Sequence, residues 1–247
     1  MEGSEVLHIA RVRKYYEEKV SHTLRFTIWH LVALNHLRRI SLKEQRILDA
    51  GCGHGAFCKL IIDKLNPEYV VGLDISSNRV RVAKEYLGPR VELIIGDIHH
   101  LPFRPRAFDV VLCLETLERL LNINKGICEL LRVSTKYLIL SIPNYLNLGG
   151  FFTIVARLAT KLGLKIPGFE PQIVDRILFA PLILWLLRRI GLSISRITGA
   201  NFRYAFPIIT KPLPKLESLS TETPLFNLMG SHTILTAEKK LRRGNKQ

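Results

Sequence analysis

The stretch Ile47-Leu48-Asp49-Ala50-Gly51-Cys52-Gly53-His54-Gly55 decides how this 247-residue chain is read. A short, mostly apolar run ends in three glycines on alternate positions. A buried strand that stops at glycines marks a turn where the backbone approaches a ligand closely, because no Cβ shields its amides. Ala56–Leu65 then reads as a helix closed by Asn66-Pro67.

The alternation continues downstream. Tyr69–Asp74 reads as a second strand, and Asn78–Leu87 as a helix capped by Ser76 or Ser77 and stopped by Gly88-Pro89. Val91–Ile95, Phe108–Leu114 and Tyr137–Ile142 read as the next three strands, with Ile123–Arg132 helical between the last two. Short apolar strands alternating with helices predict a parallel sheet covered on both faces. Upstream, Glu5–Ile40 lacks Pro and Gly and predicts one or two helices, so residues 1–45 are expected to form an N-terminal helical cap on a domain spanning 46–247. Beyond Pro143 the rhythm changes to an apolar and basic, lid-like insertion at about 145–176. Leu178–Ile190 reads as a helix, Leu192–Thr198 as a sixth strand and Ser231–Glu238 as the last. Residues 205–224, with four prolines, read as a loop, and the tail Lys239–Gln247 as frayed.

Gly51, Gly53 and Ala56 also fit the dinucleotide pattern G-x-G-x-x-G/A, with Asp74 about 20 residues on. Asp49 argues against that ligand. It stands two residues before the first glycine, where a carboxylate would repel a pyrophosphate. S-adenosylmethionine carries no phosphate but a sulfonium and an ammonium, so an acid beside the turn is favourable. Asp74 ends the second strand and suits the two hydroxyls of a ribose; Asp97, in Gly96-Asp97-Ile98, follows the third. Three acids after three successive strands converge on the crevice at the carboxyl ends of a parallel sheet.

These segments resemble the class I methyltransferases, in particular the type 11 group that includes ubiquinone and menaquinone methylases. The resemblance runs from about Ile47 to Asn144: Asp49-x-Gly51-x-Gly53-x-Gly55, Gly72-Leu73-Asp74-Ile75-Ser76, and Gly96-Asp97-Ile98-x-x-Leu101-Pro102-Phe103 look like the first three motifs. It implies a Rossmann-like α/β fold with a mostly parallel seven-stranded sheet, helices on both faces and an antiparallel last strand. It implies S-adenosyl-L-methionine as cofactor: Asp49 and Gly51 at the methionine moiety with Gly53 in the same turn, Asp74 at the ribose, Ile75 and Ile98 around the adenine, Asp97 at its exocyclic amine, and Leu114 and Glu115 beside the methyl group. One departure is Arg119, which stands where members of the group often carry His.

A sulfonium is already a strong methyl donor, so alignment of the acceptor matters most and a base is needed only if the acceptor loses a proton. His99 and His100 read as loop surface residues and Glu118 as a solvated helix side chain, so no catalytic residue is assigned. Cys52, Cys58, Cys113 and Cys128 show no metal-ligand spacing and read as reduced core thiols, which with the absence of a basic and apolar leader suggests a cytoplasmic chain without a metal. The net charge is +15, and +12 of it lies in residues 132–247. That excess suggests an anionic partner. Arg157, Lys161 and Lys165 interrupt the apolar stripe Phe151, Phe152, Ile154, Val155, Leu158, Leu162 and Leu164. A basic amphipathic helix of this kind favours a small or lipid-like methyl acceptor and peripheral contact with an anionic membrane. The alternatives are an RNA methyltransferase and a non-catalytic S-adenosylmethionine-binding module. The acceptor atom and the oligomeric state are not specified by these features.

Overall fold

A computed structural model describes residues 2–18, 27–40, 45–164, 176–200 and 231–239. Two helices come first, α1 (Glu2–Glu18) and α2 (Ile28–Arg38). Strand β1 (Arg46–Ala50) opens the regular alternation of α3 (Ala56–Lys64), β2 (Tyr69–Asp74), α4 (Ser77–Leu87), β3 (Glu92–Ile95), β4 (Phe108–Cys113), α5 (Ile123–Val133) and β5 (Ser134–Pro143). Helices α6 (Leu148–Lys161) and α7 (Ala180–Arg189) precede β6 (Leu192–Ala200) and β7 (His232–Lys239). The expected loop at 205–224 and the tail beyond Lys239 lie outside the described residues.

The strands form one seven-stranded sheet in the order β3-β2-β1-β4-β5-β7-β6. The first five run parallel, and β7 lies antiparallel between β5 and β6. The chain leaves β1 toward β2 and β3 on one side and later returns to place β4 on the other. That reversal opens a crevice at the carboxyl ends of the strands.

Side chains alternate across a strand, and the sheet is covered on both sides accordingly. Leu48, Val71, Val111, Leu138 and Leu140 face Ile127, Leu130 and Val133 of α5 and Ile183, Leu184 and Leu187 of α7. Ile47, Val70, Val110, Leu112 and Ile139 face the other way, onto Phe57, Cys58 and Ile61 of α3, Ala83 and Leu87 of α4, and Leu34 and Leu37 of α2. Helix α2 is therefore part of the sheet's second face. Its His36 is buried and clamped between β6 and β7, with Nδ1 2.7 Å from the Thr236 hydroxyl and Nε2 2.9 Å from that of Thr198.

Helix α1 does something different. Its Tyr16 ring lies under the Arg79 guanidinium of α4, 3.9 Å from the centroid. Its Glu17 carboxylate accepts from Ser77 N at 2.7 Å and Asn78 N at 3.0 Å, satisfying amides at the start of α4. Ser76, one of the two residues expected as cap, accepts from Arg79 N within the same turn. Helix α1 is thus fastened across the end of the sheet at which the crevice opens. No helix among the described residues is long and apolar enough to cross a membrane.

Candidate functional site

The crevice is a cavity of about 640 Å³ roofed by α1 and α2 and floored by the ends of β1, β2 and β4. Asp49, Gly51, Asp74, Ile75, Asp97, Ile98 and Leu114 all line it. Gly53 does not reach the wall; its N–H donates to Asp74 Oδ2 at 2.8 Å from behind. Gly51 sits at φ 90°, in the left-handed region, and a Cβ there would run into the Thr116 side chain. Glycine at that position is therefore fixed both by the turn and by what packs on it.

The three acids differ in their surroundings. Asp49 is buried, and its Oδ2 accepts a weak hydrogen bond from Cys58 Sγ at 3.3 Å. Burial, with the Asp74 charge nearby, raises its carboxyl to about 7 against the lowering effect of Cys58. Asp74 is held on both oxygens, by Gly53 N and by Ser76 N at 3.0 Å. Asp97 uses one oxygen only: Oδ1 accepts from His99 N at 2.9 Å and His99 Nδ1 at 2.8 Å. Asn122 N donates to His99 Nε2, at 3.4 Å, which leaves the ring proton on Nδ1. Burial alone would raise Asp97, but the His99 hydrogen bonds outweigh it and hold the carboxyl below its ordinary value. No hydrogen-bond partner among the described residues meets Asp49 Oδ1 or Asp97 Oδ2. A cavity with unshared carboxylate oxygens on its wall suits a ligand that brings positive charge and N–H or O–H donors.

Three sequence expectations are corrected here. His99 is not a surface residue but is 3% exposed, its ring held between the Asp97 carboxylate and the Asn122 N–H. Glu118 is not solvated: it is 1% exposed on a short turn, Leu117–Arg119, and pairs with Arg119 Nη1 at 2.7 Å. Cys128 is exposed rather than core, whereas Cys52, Cys58 and Cys113 are buried and free. Arg119, the departure noted above, lines the cavity, and its backbone carbonyl lies 3.0 Å from His8 Nε2 of α1.

Sequence reasoning expected a helical cap from residues 1–45 but named none of its residues at the site. His8, Val12, Tyr15 and Tyr16 of α1 and Trp29 and His30 of α2 all face the cavity. It also missed an ion pair at the floor. Glu115 has φ 51°, strained for a side chain with a Cβ, and is held there by its N–H to Ser141 Oγ at 2.7 Å and by the Ser141 hydroxyl on Oε1. Its Oε2 lies 2.9 Å from His232 Nε2. Burial works against both charges; the pairing overrides it, holding Glu115 down at about 2 and raising His232 above its ordinary value.

Residues 47–136 match a family model described as a methyltransferase domain. Phthiotriol/phenolphthiotriol dimycocerosates methyltransferase of Mycobacterium leprae is 30% identical over 96 residues, 38% of this chain and 36% of that protein. Demethylmenaquinone methyltransferase of Bacteroides fragilis is 30% identical over 124 residues, 47% of this chain and 50% of that protein. The chain thus spans half or less of the length of these curated relatives. Among solved structures, magnesium protoporphyrin IX methyltransferase of Synechocystis, with bound S-adenosylhomocysteine, superposes with a TM-score of 0.56 at 22% identity, covering 85% of this chain and 80% of that one. The cyclase SpnF superposes with a TM-score of 0.60 at 21% identity, covering 85% and 81%. These superpositions establish the shared Rossmann-like fold.

Proposed function

We propose that this chain, whose residues 47–136 form a class I methyltransferase domain, binds S-adenosyl-L-methionine in the cavity and transfers its methyl group to a small or lipid-like acceptor. The observation that carries the reading is the set of Asp49, Asp74 and Asp97 on one cavity wall, with Asp49 Oδ1 and Asp97 Oδ2 unshared. A cationic methionine moiety beside Asp49 would draw that carboxyl, poised at about 7, into its ionised form. Asp74 would take the ribose hydroxyls, Ile75 and Ile98 the adenine faces, and Asp97 Oδ2 the exocyclic amine. Gly51 and Leu114 would border the methionine end, and Gly53 would act through Asp74. When bound, the cofactor supplies an electrophilic methyl group.

In this reading residues 1–45 cap the domain 46–247, with α1 as the part that covers the cofactor. The insertion at 145–176 would meet the acceptor or the surface that delivers it. Phe151, Phe152, Val155 and Leu158 of α6 and Leu162 just after it are all exposed, beside Arg157 and Lys161, and Leu182 and Trp185 of α7 are exposed beside Arg188 and Arg189. Exposed aliphatic and aromatic area mixed with cations suits the anionic face of a membrane, which fits a cytoplasmic chain with peripheral contact.

Calorimetric titration with S-adenosylhomocysteine tests the cofactor reading. Binding with a dissociation constant of roughly 1 μM–1 mM is expected. Binding of NAD with no response to S-adenosylhomocysteine would end it. The cyclase SpnF shows that a neighbour in fold carries another named activity, so transfer itself is tested separately, by methyl incorporation from labelled cofactor into a lipid extract.

A further inference from the structure

The roof and the floor of the cavity each contribute one polar group whose hydrogen-bonding sense is fixed. On the roof, the backbone N–H of Thr27 donates to His30 Nδ1 at 3.0 Å, as a Glu or Gln does in a capping box. A backbone N–H only donates, so Nδ1 carries the lone pair and the ring proton is on Nε2. Nε2 has no hydrogen-bond partner among the described residues, and His30 lines the cavity. Burial, opposed by the Glu115 charge, lowers His30 to about 4, so the ring is neutral at neutral pH and its Nε2–H is a plain donor. On the floor, Glu115 is held as a carboxylate by His232 and Ser141. Each of its oxygens keeps a second lone pair, and a carboxylate only accepts.

The flanks are aromatic. Trp29 stacks on His232 with ring centroids 4.7 Å apart, and Phe57 stacks on His30 at 5.5 Å. Trp29, Phe57 and Leu114 line the cavity around the two polar groups.

We infer that this end of the cavity selects a neutral hydroxyl on a flat, apolar acceptor, with His30 donating to the hydroxyl oxygen and Glu115 accepting its proton. The inference rests on the methyltransferase reading above and adds the acceptor class to it. A hydroxyl carries one donor and free lone pairs, so it satisfies both groups at once. A carboxylate would bring a second anion against Glu115 and has no proton for it. An ammonium would suit Glu115 but offers no lone pair to His30. A bare hydrocarbon would leave both polar groups unpaired in an enclosed place. Glu115 and His30 are thereby specificity-determining residues, and His232 positions Glu115.

The test uses the full chain saturated with S-adenosylhomocysteine and titrated with three probes of one ring system: naphthol, naphthalene and naphthoate. Naphthol is expected to bind about tenfold more tightly than naphthalene, the size of one hydrogen bond to a charged group, and naphthoate more weakly than either. His30→Phe keeps the ring beside Phe57 and is expected to cut the naphthol preference to a few-fold, the Glu115 hydrogen bond remaining, while S-adenosylhomocysteine affinity stays within about threefold. Glu115→Gln is expected to improve naphthoate. Naphthol binding no tighter than naphthalene on the unsubstituted protein overturns the inference, as does naphthoate binding best, or a naphthol preference that His30→Phe leaves unchanged. A chain that does not bind S-adenosylhomocysteine at all refutes the cofactor reading beneath it, and is told apart by the first titration.

Discussion

The Asp74 carboxylate at the end of β2 accepts the Gly53 N–H at 2.8 Å, so the second strand fixes the turn that follows the first. One side chain thereby shapes the turn behind the cavity and forms part of its wall.

Replacing Asp74 by Asn is expected to weaken S-adenosylhomocysteine binding by about 1–3 kcal/mol, because the amide offers one acceptor atom where two are in use. Calorimetry reads the loss. Affinity unchanged from the parent protein would show that Asp74 serves the turn alone.

Glu17 holds α1 over the cavity by way of the first amides of α4. Glu17→Ala is expected to shorten the residence time of S-adenosylhomocysteine several-fold, with the association rate changed less, since the cap can then lift more often. Stopped-flow displacement measures both rates. Equal dissociation rates would mean that α1 does not retain the ligand.

His36 makes the protein sensitive to acid. Burial, helped by the charges of Arg196 and Arg39, lowers this imidazole to about 3 from an ordinary 6.5. The unfolded chain therefore binds the proton that the folded chain refuses. The His36 contribution is whole above pH 6.5 and is lost progressively as pH falls toward 3, by about 1.4 kcal/mol per pH unit. His30 acts in the same sense, down to about 4. Asp49 acts in the opposite one, since a carboxyl raised to about 7 adds stability that fades as pH rises from its ordinary 3.8 through 7. The His36 part is isolated by comparing urea unfolding of the parent and of His36→Asn at pH 7 and pH 5. The parent is expected to lose about 2 kcal/mol more than the variant over that interval. Parallel losses would place the acid sensitivity elsewhere.

The exposed apolar side chains of α6 lie among cations. Binding to phosphatidylglycerol vesicles is expected at low salt, with weaker binding to phosphatidylcholine and release as salt screens the charges. Arg157→Glu with Lys161→Glu is expected to weaken vesicle sedimentation by about tenfold or more, at roughly 1 kcal/mol per charge. If vesicles are ignored and RNA is bound with a steep salt dependence instead, the RNA methyltransferase reading replaces this one.

The turn Gly51–Gly55 and the strands around it were legible because their signals are local. An apolar run of strand length, a glycine series and a capping Ser76 specify their conformation within a few residues. Asp49, Asp74 and Asp97 were legible as a set for the same reason, since parallel topology alone brings the ends of successive strands together. The environment of a polar side chain has no such local mark. His99 and Glu118 sit in short turns that look exposed in sequence, yet both are buried, and the Asn122 N–H that meets the His99 ring comes from 23 residues further along the chain.

The sequence by itself thus determined the α/β alternation and the three acids at the strand ends, because backbone conformation and strand order follow from neighbours along the chain. Tertiary structure alone decided that α1 would roof the cavity, that His8 would meet Arg119 from 111 residues away, and that Glu115 would face His232 of β7 across β5. Those contacts depend on how distant faces close on one another. Burial and pairing, which set the charge of each group in the site, exist only after that closure.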